Sequence, residues 1–407
     1  MRLAAILSLT LAIIYIVFQS FIPSFYMHLY PDVFTFHDRA SYFWENLSLT
    51  NLGHNEYQPG ALVFFFLVSG FSFLWNMTLE TFKTGLFTAN ILLIIGTAFL
   101  FDRMKKTAGV ILLAIFLATL GPILLFRFDL LVIFLLTLVF YLWEKGRLEI
   151  AMAVLSFSVL VKVYPLIFLP YLLFLTYKNH RILKPIYLLS IFVLSLITYF
   201  LLYTVIFQIS FTDSYISYNF HNLKSVATES FWASVIYYLH LIRGIPLPMM
   251  ESAYGINAIL RTEVYPSINF YNYFWIIPVG ILNLYFFYKN SKKSSELNYE
   301  FLALSLLVFL IFYKVFSNQY WAWFLFLVPL INFKKLLSPA WIINIFLIIL
   351  TTILHTFIYP LNYTEWLNTL QRKNIDMFLV WVMIISSLIL PILAIRIYYD
   401  LFKKNTD

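Results

Sequence analysis

Apolar residues run along this chain in long blocks broken by short polar punctuation, and the block lengths predict helices. The first block extends from Leu3 to about Pro23. Further blocks fall at about 84–101, 108–125, 128–143, 148–162, 165–177, 183–207, 269–288, 299–316, 320–333, 339–358 and 377–398. A helix needs about 20 apolar residues to cross the hydrocarbon core. The pattern therefore predicts an all-α polytopic membrane protein of about 12 transmembrane helices, one integral domain over residues 1–407. The first block exceeds the roughly 7–15 residues of a signal-peptide core and lacks a small-residue cleavage site, so it reads as a retained anchor.

Three stretches complicate the count. Residues 60–75 (GALVFFFLVSGFSFLW) are apolar but short for a crossing. They are expected as a re-entrant or surface helix inside a long first external loop, 24–83. Glu229–Leu241 is expected as a second surface helix in a second large external loop, 208–268. The block 148–177 is split only by Lys162, Tyr164 and Pro165. Length alone favours one crossing there; charge favours two.

Charge decides the orientation. With these spans, one side holds 17 of the 27 Lys and Arg, including the clusters at Arg103–Lys106, Lys145–Arg147, Lys178–Lys184 and Lys289–Lys293. Cytoplasmic loops carry such an excess, so both termini are expected in the cytoplasm and the chain in the plasma membrane as a multi-pass protein. Composition agrees: 62% hydrophobic and 11% charged residues, with a mean hydropathy of +0.85. These values exclude a disordered chain or a sizeable soluble domain. The net charge of +8 is accounted for by basic loops facing anionic lipid, with no nucleic acid implied. With no Cys, disulfides, thiolate metal sites and Cys nucleophiles are excluded.

The remaining ionisable residues gather on the opposite side. The first external loop carries Phe36-His37-Asp38-Arg39 and Glu56-Tyr57-Gln58-Pro59. The outer ends of neighbouring spans hold Arg127-Phe128-Asp129 and Lys162-Val163-Tyr164-Pro165. The second loop supplies Asn219–Lys224, with His221, and then Thr228-Glu229-Ser230. Ser317-Asn318-Gln319-Tyr320-Trp321 opens a late block. A charge at membrane depth costs about 2.5–3.5 kcal/mol on insertion scales, so it suggests function by default. Bland readings stand beside that one. Arg127 and Asp129 could form a structural pair, although an i,i+2 spacing puts them on different helix faces. Lys162 could snorkel to the interface, and Asp38 or His221 alone could be ordinary loop residues. No His pair at i,i+4, Gly-rich phosphate loop, Asp-x-Asp or Gly-x-Ser-x-Gly occurs in a position to carry metal, nucleotide or serine chemistry.

The segment Arg127–Pro170 (RFDLLVIFLLTLVFYLWEKGRLEIAMAVLSFSVLVKVYPLIFLP) pairs an Arg-x-Asp with a Lys-x-Tyr-Pro-Leu. Together with Asp38, Tyr57-x-Pro59, HNLKSVATES and Ser317–Tyr320, it resembles the GT-C class of polyprenyl-phosphate-dependent glycosyltransferases, most closely glycosyltransferase family 87. The resemblance covers about residues 40–320. The first island departs from the family by reading His-Asp-Arg where small or apolar residues follow the aspartate.

The resemblance implies a GT-C-like fold and transfer of a hexose, mannose foremost, from a polyprenyl-phosphate donor to a lipid or glycan hydroxyl. Transfer would take place at the outer face with inversion. Asp38 would be the catalytic base; Arg127, Lys162 and His221 would bind the donor phosphate. Tyr57, Asp129, Tyr164, Glu229, Gln319 and Tyr320 would contact sugar or acceptor. Lys and Arg can supply the countercharge, so no metal and no other cofactor is expected. The competing class is a transporter or lipid-linked-sugar flippase, whose charges belong near the bilayer midplane in two repeated halves. No such repeat is visible in this chain.

Overall fold

The computed structural model describes residues 2–49, 57–73, 77–209, 226–235, 249–251, 257–259, 274–291, 296–371 and 375–402. The architecture is that of a helical membrane protein. Among the described residues, six helices are long and apolar enough to cross a membrane: Arg2–Gln19, Leu79–Arg103, Thr107–Leu124, Leu183–Phe207, Pro339–Leu361 and Met377–Phe402. Shorter apolar helices cover Pro59–Gly70, Leu148–Val161 and Tyr299–Phe312. Two compact units divide the chain. The first comprises Met1–Ala114, Pro122–His221 and Ser295–Leu297; the second comprises Ile115–Gly121, Asn222–Ser294 and Asn298–Asp407.

The first unit contains α1 (Arg2–Gln19), α2 (Pro23–Asn46), α3 (Pro59–Phe73), α4 (Leu79–Arg103) and the start of α5 (Thr107–Leu120). It continues with α6 (Asp129–Glu144), α7 (Leu148–Val161), α8 (Leu169–His180) and α9 (Leu183–Phe207). Helix α2 was not expected as a separate element. Pro23 sits at its first position, where a missing N–H costs nothing. Apolar residues Phe25, Leu29, Val33, Phe36, Ala40 and Phe43 recur every three or four positions and form its buried stripe. The expected short helix at 60–75 is α3, at 15 residues. Thr78 and Thr81 cap α4 reciprocally, each side chain accepting from the other's backbone N–H. Gly146, at φ +69°, turns α6 into α7, and a side chain there would be strained.

Hydrocarbon supplies little hydrophobic drive between helices, so close packing must hold them. Gly60 shows the requirement most sharply. A Cβ there would lie 2.7 Å from the Val161 side chain and 2.8 Å from its backbone nitrogen, so α3 can touch the end of α7 only through glycine. Helix α9 is the opposite case. Only 11% of its apolar span is buried, and its exposed Leu183, Leu194 and Val205 suit lipid.

The second unit holds α10 (Ile276–Ser291), α11 (Tyr299–Phe312), α12 (Pro339–Thr356), α13 (Tyr363–Leu370) and α14 (Met377–Phe402). A small antiparallel ladder of β1 (Met249–Glu251) and β2 (Asn257–Ile259) also belongs to it. Asn298 caps α11, its side chain accepting from the N–H groups of Glu300 and Phe301. Helix α11 is short yet buried from Tyr299 to Ile311, and it packs on α10 and α14. Trp366, Ile358, Leu379 and Met383 centre a further core cluster. The block 320–333 forms short pieces, Trp321–Leu325 and Val328–Leu330, in place of one rod. Pro329 has no N–H to donate back to the Leu325 carbonyl, so an α-helical ladder cannot run through this point. A helical turn at 231–235 begins where the second surface helix was expected; residues 236–241 lie outside the described residues.

Candidate functional site

The site is built where the turns before α6 and after α7 meet. After α5, a 3-10 turn over Gly121–Leu124 leads to Phe128, which precedes α6. Asn90, fully buried on α4, fixes this approach. Its Nδ2 donates to the carbonyls of Leu125 at 3.0 Å and Arg127 at 2.7 Å. Asp129 then occupies the first turn of α6, where the helix dipole favours a negative charge. Lys162 closes α7, where the dipole favours a cation. Pro165 has no N–H to continue α7, and the chain leaves α7 in a 3-10 turn over Tyr164–Phe168, with Pro165 in its first turn.

These turns bring two cations and two carboxylates into one cluster. Lys162 Nζ lies 2.5 Å from Asp129 Oδ1, with Asp129 only 1% exposed. Arg127 Nη2 lies 2.6 Å from Oδ2 of Asp32, which α2 contributes. The Asp32 side chain is the more accessible carboxylate, at 25%. Lys162 also sits 4.8 Å above the Phe128 ring, a cation–π contact. Tyr164 is buried next to the charge of Asp129. An aromatic block walls the cluster: Tyr57 meets Phe36, Phe65 and Phe128 edge-on, and Phe36 stacks on Phe65. Arg127, Asp129, Lys162, Tyr57 and Tyr164 thus share one neighbourhood.

Asp38 has different surroundings. Its side chain is 56% exposed, and the Arg39 guanidinium is 3.2 Å away. It lies six positions along α2 from Asp32, about 9 Å along the axis and roughly 120° around it. Asp32 was absent from the sequence expectations. Its signal was present: it stands between Leu29-Tyr30 and Val33-Phe34, a more apolar setting than that of Asp38. The criterion that singled out Arg127, a charge interrupting an apolar run, applies to Asp32 as well. His221 lies outside the described residues.

The other expected site residues belong to the second unit. Gln319 and Tyr320 are buried in it, Gln319 accepting from the Ser317 hydroxyl at 2.5 Å and Tyr320 stacking on Trp323 at 3.9 Å. Their neighbour Asn318 donates to Thr356 Oγ1 and to the Tyr359 carbonyl, both at 3.0 Å. Glu229 is partly buried beside Tyr363. Burial pushes its carboxyl up to about 7, against an opposing hydrogen bond from Tyr363.

No protein-family model matches the chain, and no curated protein matches it.

The cluster has two chemical capacities. Left alone, it is a charge-balanced set that keeps four ionic groups tolerable in an apolar setting. Presented with an anion, it offers an exchange. Asp129 is sequestered on Lys162, but the more accessible Asp32 can yield its place on Arg127 to a phosphate.

Proposed function

We propose that this protein is a membrane glycosyltransferase moving a hexose, mannose foremost, from a polyprenyl-phosphate donor to a lipid or glycan hydroxyl. The reaction belongs to the outer face of the plasma membrane, within a GT-C-like arrangement of about twelve spans, and inverts the anomeric carbon. The observation that carries the reading is the pair of cations, Arg127 and Lys162, held with Asp32 and Asp129 at one end of an apolar helical unit. A lipid-borne leaving group gains negative charge as the sugar departs, and fixed cations in a water-poor site stabilise that charge strongly.

In this reading the acceptor hydroxyl attacks the anomeric carbon as the bond from that carbon to the phosphate oxygen breaks. The bonding electrons leave with the phosphate, and the hydroxyl proton goes to a carboxylate of α2. The geometry favours Asp32 over Asp38 for that role, because Asp32 shares the cations' neighbourhood. Donor phosphate arriving on Arg127 would release Asp32 from its ion pair and leave it able to accept a proton. Tyr57, Asp129 and Tyr164 contact sugar or acceptor; Glu229, Gln319, Tyr320 and His221 remain assigned to sugar, acceptor or donor through the family resemblance alone. Arg127 and Lys162 provide the countercharge, so the reaction as proposed requires no metal.

The test uses purified protein in detergent with labelled polyprenyl-phosphate mannose and a membrane-lipid acceptor. Transfer by the wild type, lost in Arg127→Ala and Lys162→Ala but kept in Lys334→Ala, is the expected result. If no polyprenyl-phosphate hexose is consumed while reconstituted protein moves the intact donor across vesicles, the protein is a flippase and this reading fails.

A further inference from the structure

The second unit contains a groove of about 370 Å³ that the glycosyl-transfer reading does not use. Helix α10 lines it with Leu282 and Phe286, α11 with Ile311, and α14 with Pro391 and Ala394; Trp232 bounds it near the end of α11. Its walls are apolar, and polar groups lie beside it at the C-terminal ends of α10 and α14. The rings of Tyr285 and Tyr398 line the groove; their hydroxyls lie 3.2 Å apart, and Lys289 Nζ donates to Tyr398 at 2.7 Å. Lys289 also lies over the rings of Tyr285, Tyr398 and Phe402. Among the described residues, no carboxylate forms an ion pair with Lys289.

An apolar slot with a cation and two hydroxyls beside one end has the polarity of one membrane component, a phospholipid with an anionic head. Two further observations support that occupant. Tyr285, Tyr288 and Tyr399 are all exposed around this end, and exposed tyrosines mark the headgroup level of a bilayer. The sequence is also basic beyond it, with Lys292 and Lys293 after α10 and Lys403 and Lys404 after α14. Such clusters face the leaflet that carries anionic lipid. The geometry points to a binding site for an anionic glycerophospholipid, one acyl chain lying between α10 and α14 and its phosphate on Lys289, Tyr285 and Tyr398. The site does not depend on the glycosyltransferase reading and sits in the unit that does not hold the Arg127–Lys162 cluster.

The experiment exchanges purified full-length protein into nanodiscs of phosphatidylcholine containing one fifth phosphatidylglycerol, then measures retained lipid by native mass spectrometry. The wild type is expected to retain phosphatidylglycerol over phosphatidylcholine by at least tenfold relative to the supplied mixture. Lys289→Gln combined with Tyr398→Phe should erase that preference, and Ala394→Trp, which fills the slot, should lower retention of both lipids. Lys334→Gln should change neither. Equal retention of the two lipids by the wild type, or an undiminished preference in the Lys289→Gln/Tyr398→Phe variant, overturns the proposal. So does displacement of phosphatidylglycerol by equimolar polyprenyl phosphate, which would assign the groove to an isoprenoid chain. A detergent melting curve for each variant separates loss of the site from loss of the fold.

Discussion

Arg127 and Asp32 meet at 2.6 Å although 94 residues of chain separate them, and their contact ties the mid-region of α2 to the turn that starts α6. The contact sets two roles against each other. As a structural tie it would be indifferent to the chemistry of the leaving group. As a gate it would hold the base inactive until a donor phosphate takes the guanidinium. Asp32→Asn keeps the side-chain shape and removes the proton acceptor. It is expected to lower transfer by about 10²–10⁴-fold, the usual contribution of a positioned base. Asp38→Asn should cost less than threefold. The assay is labelled hexose transfer in detergent, and the reverse order of effects would return the base to Asp38.

Lys162 and Asp129 form the more deeply buried pair, and its energetics can be isolated. Removing one partner of such a pair leaves an uncompensated buried charge and costs about 3–5 kcal/mol. Asp129→Ala should therefore depress the melting temperature of the solubilised protein strongly. Replacing the pair together, as Asp129→Leu with Lys162→Met, removes both charges at once and should recover most of that stability. Activity should not recover with it, because the cation is still missing. A double variant that regains both stability and transfer would make the pair purely structural.

Much of the fold was legible in sequence because apolar block length maps directly onto helix length. The blocks at 183–207 and 377–398 correspond closely to α9 and α14. What periodicity could not resolve was the shape of elements whose partners are distant in sequence. Helix α2 carries enough Tyr, His, Asp and Arg to read as loop, and only its stripe from Phe25 to Phe43 reveals one buried face. The block 320–333 is apolar throughout, so composition hid the break that Pro329 imposes. At the site, Arg127, Asp129 and Lys162 were conspicuous as charges in apolar surroundings, but the i,i+2 argument assumed that Arg127 and Asp129 share a helix, and Arg127 lies in the turn before α6. Their partners depended on how α2 and α7 approach α6, which one chain's spacing does not encode.

Glu229 gives the second unit a pH dependence whose sign can be worked out. Burial raises its carboxyl to about 7, above its ordinary value near 4.5. The folded protein therefore holds this proton over a range where the unfolded chain has lost it. Stability from this group is fully present below the ordinary carboxylate value and falls as pH rises towards 7. Melting temperature measured from pH 5 to pH 8 should decline, and Glu229→Gln, which is neutral throughout, should flatten the decline. A wild-type profile no steeper than that of the Gln variant would show that Glu229 is solvated.

Gly60 offers a test of packing beside the site. A Cβ at this position would lie within 3 Å of the Val161 side chain and of backbone atoms of Leu160 and Val161, and the backbone cannot swing aside as a flexible side chain can. Gly60→Ala must push α3 away from the end of α7, with Tyr57 on one side of the contact and Lys162 on the other. Overpacking of this kind typically costs about 1–3 kcal/mol. The displacement should also reduce transfer by more than the stability loss explains, because Lys162 follows Val161 directly in the chain. Gly70, on the same helix, has open space for at least 4 Å around the place a methyl would occupy, so Gly70→Ala should be neutral or stabilising by about 0.5–1 kcal/mol. Melting curves and transfer rates for the two variants, measured side by side, check the contrast; equal behaviour would mean that α3 does not hold the α7 terminus in place.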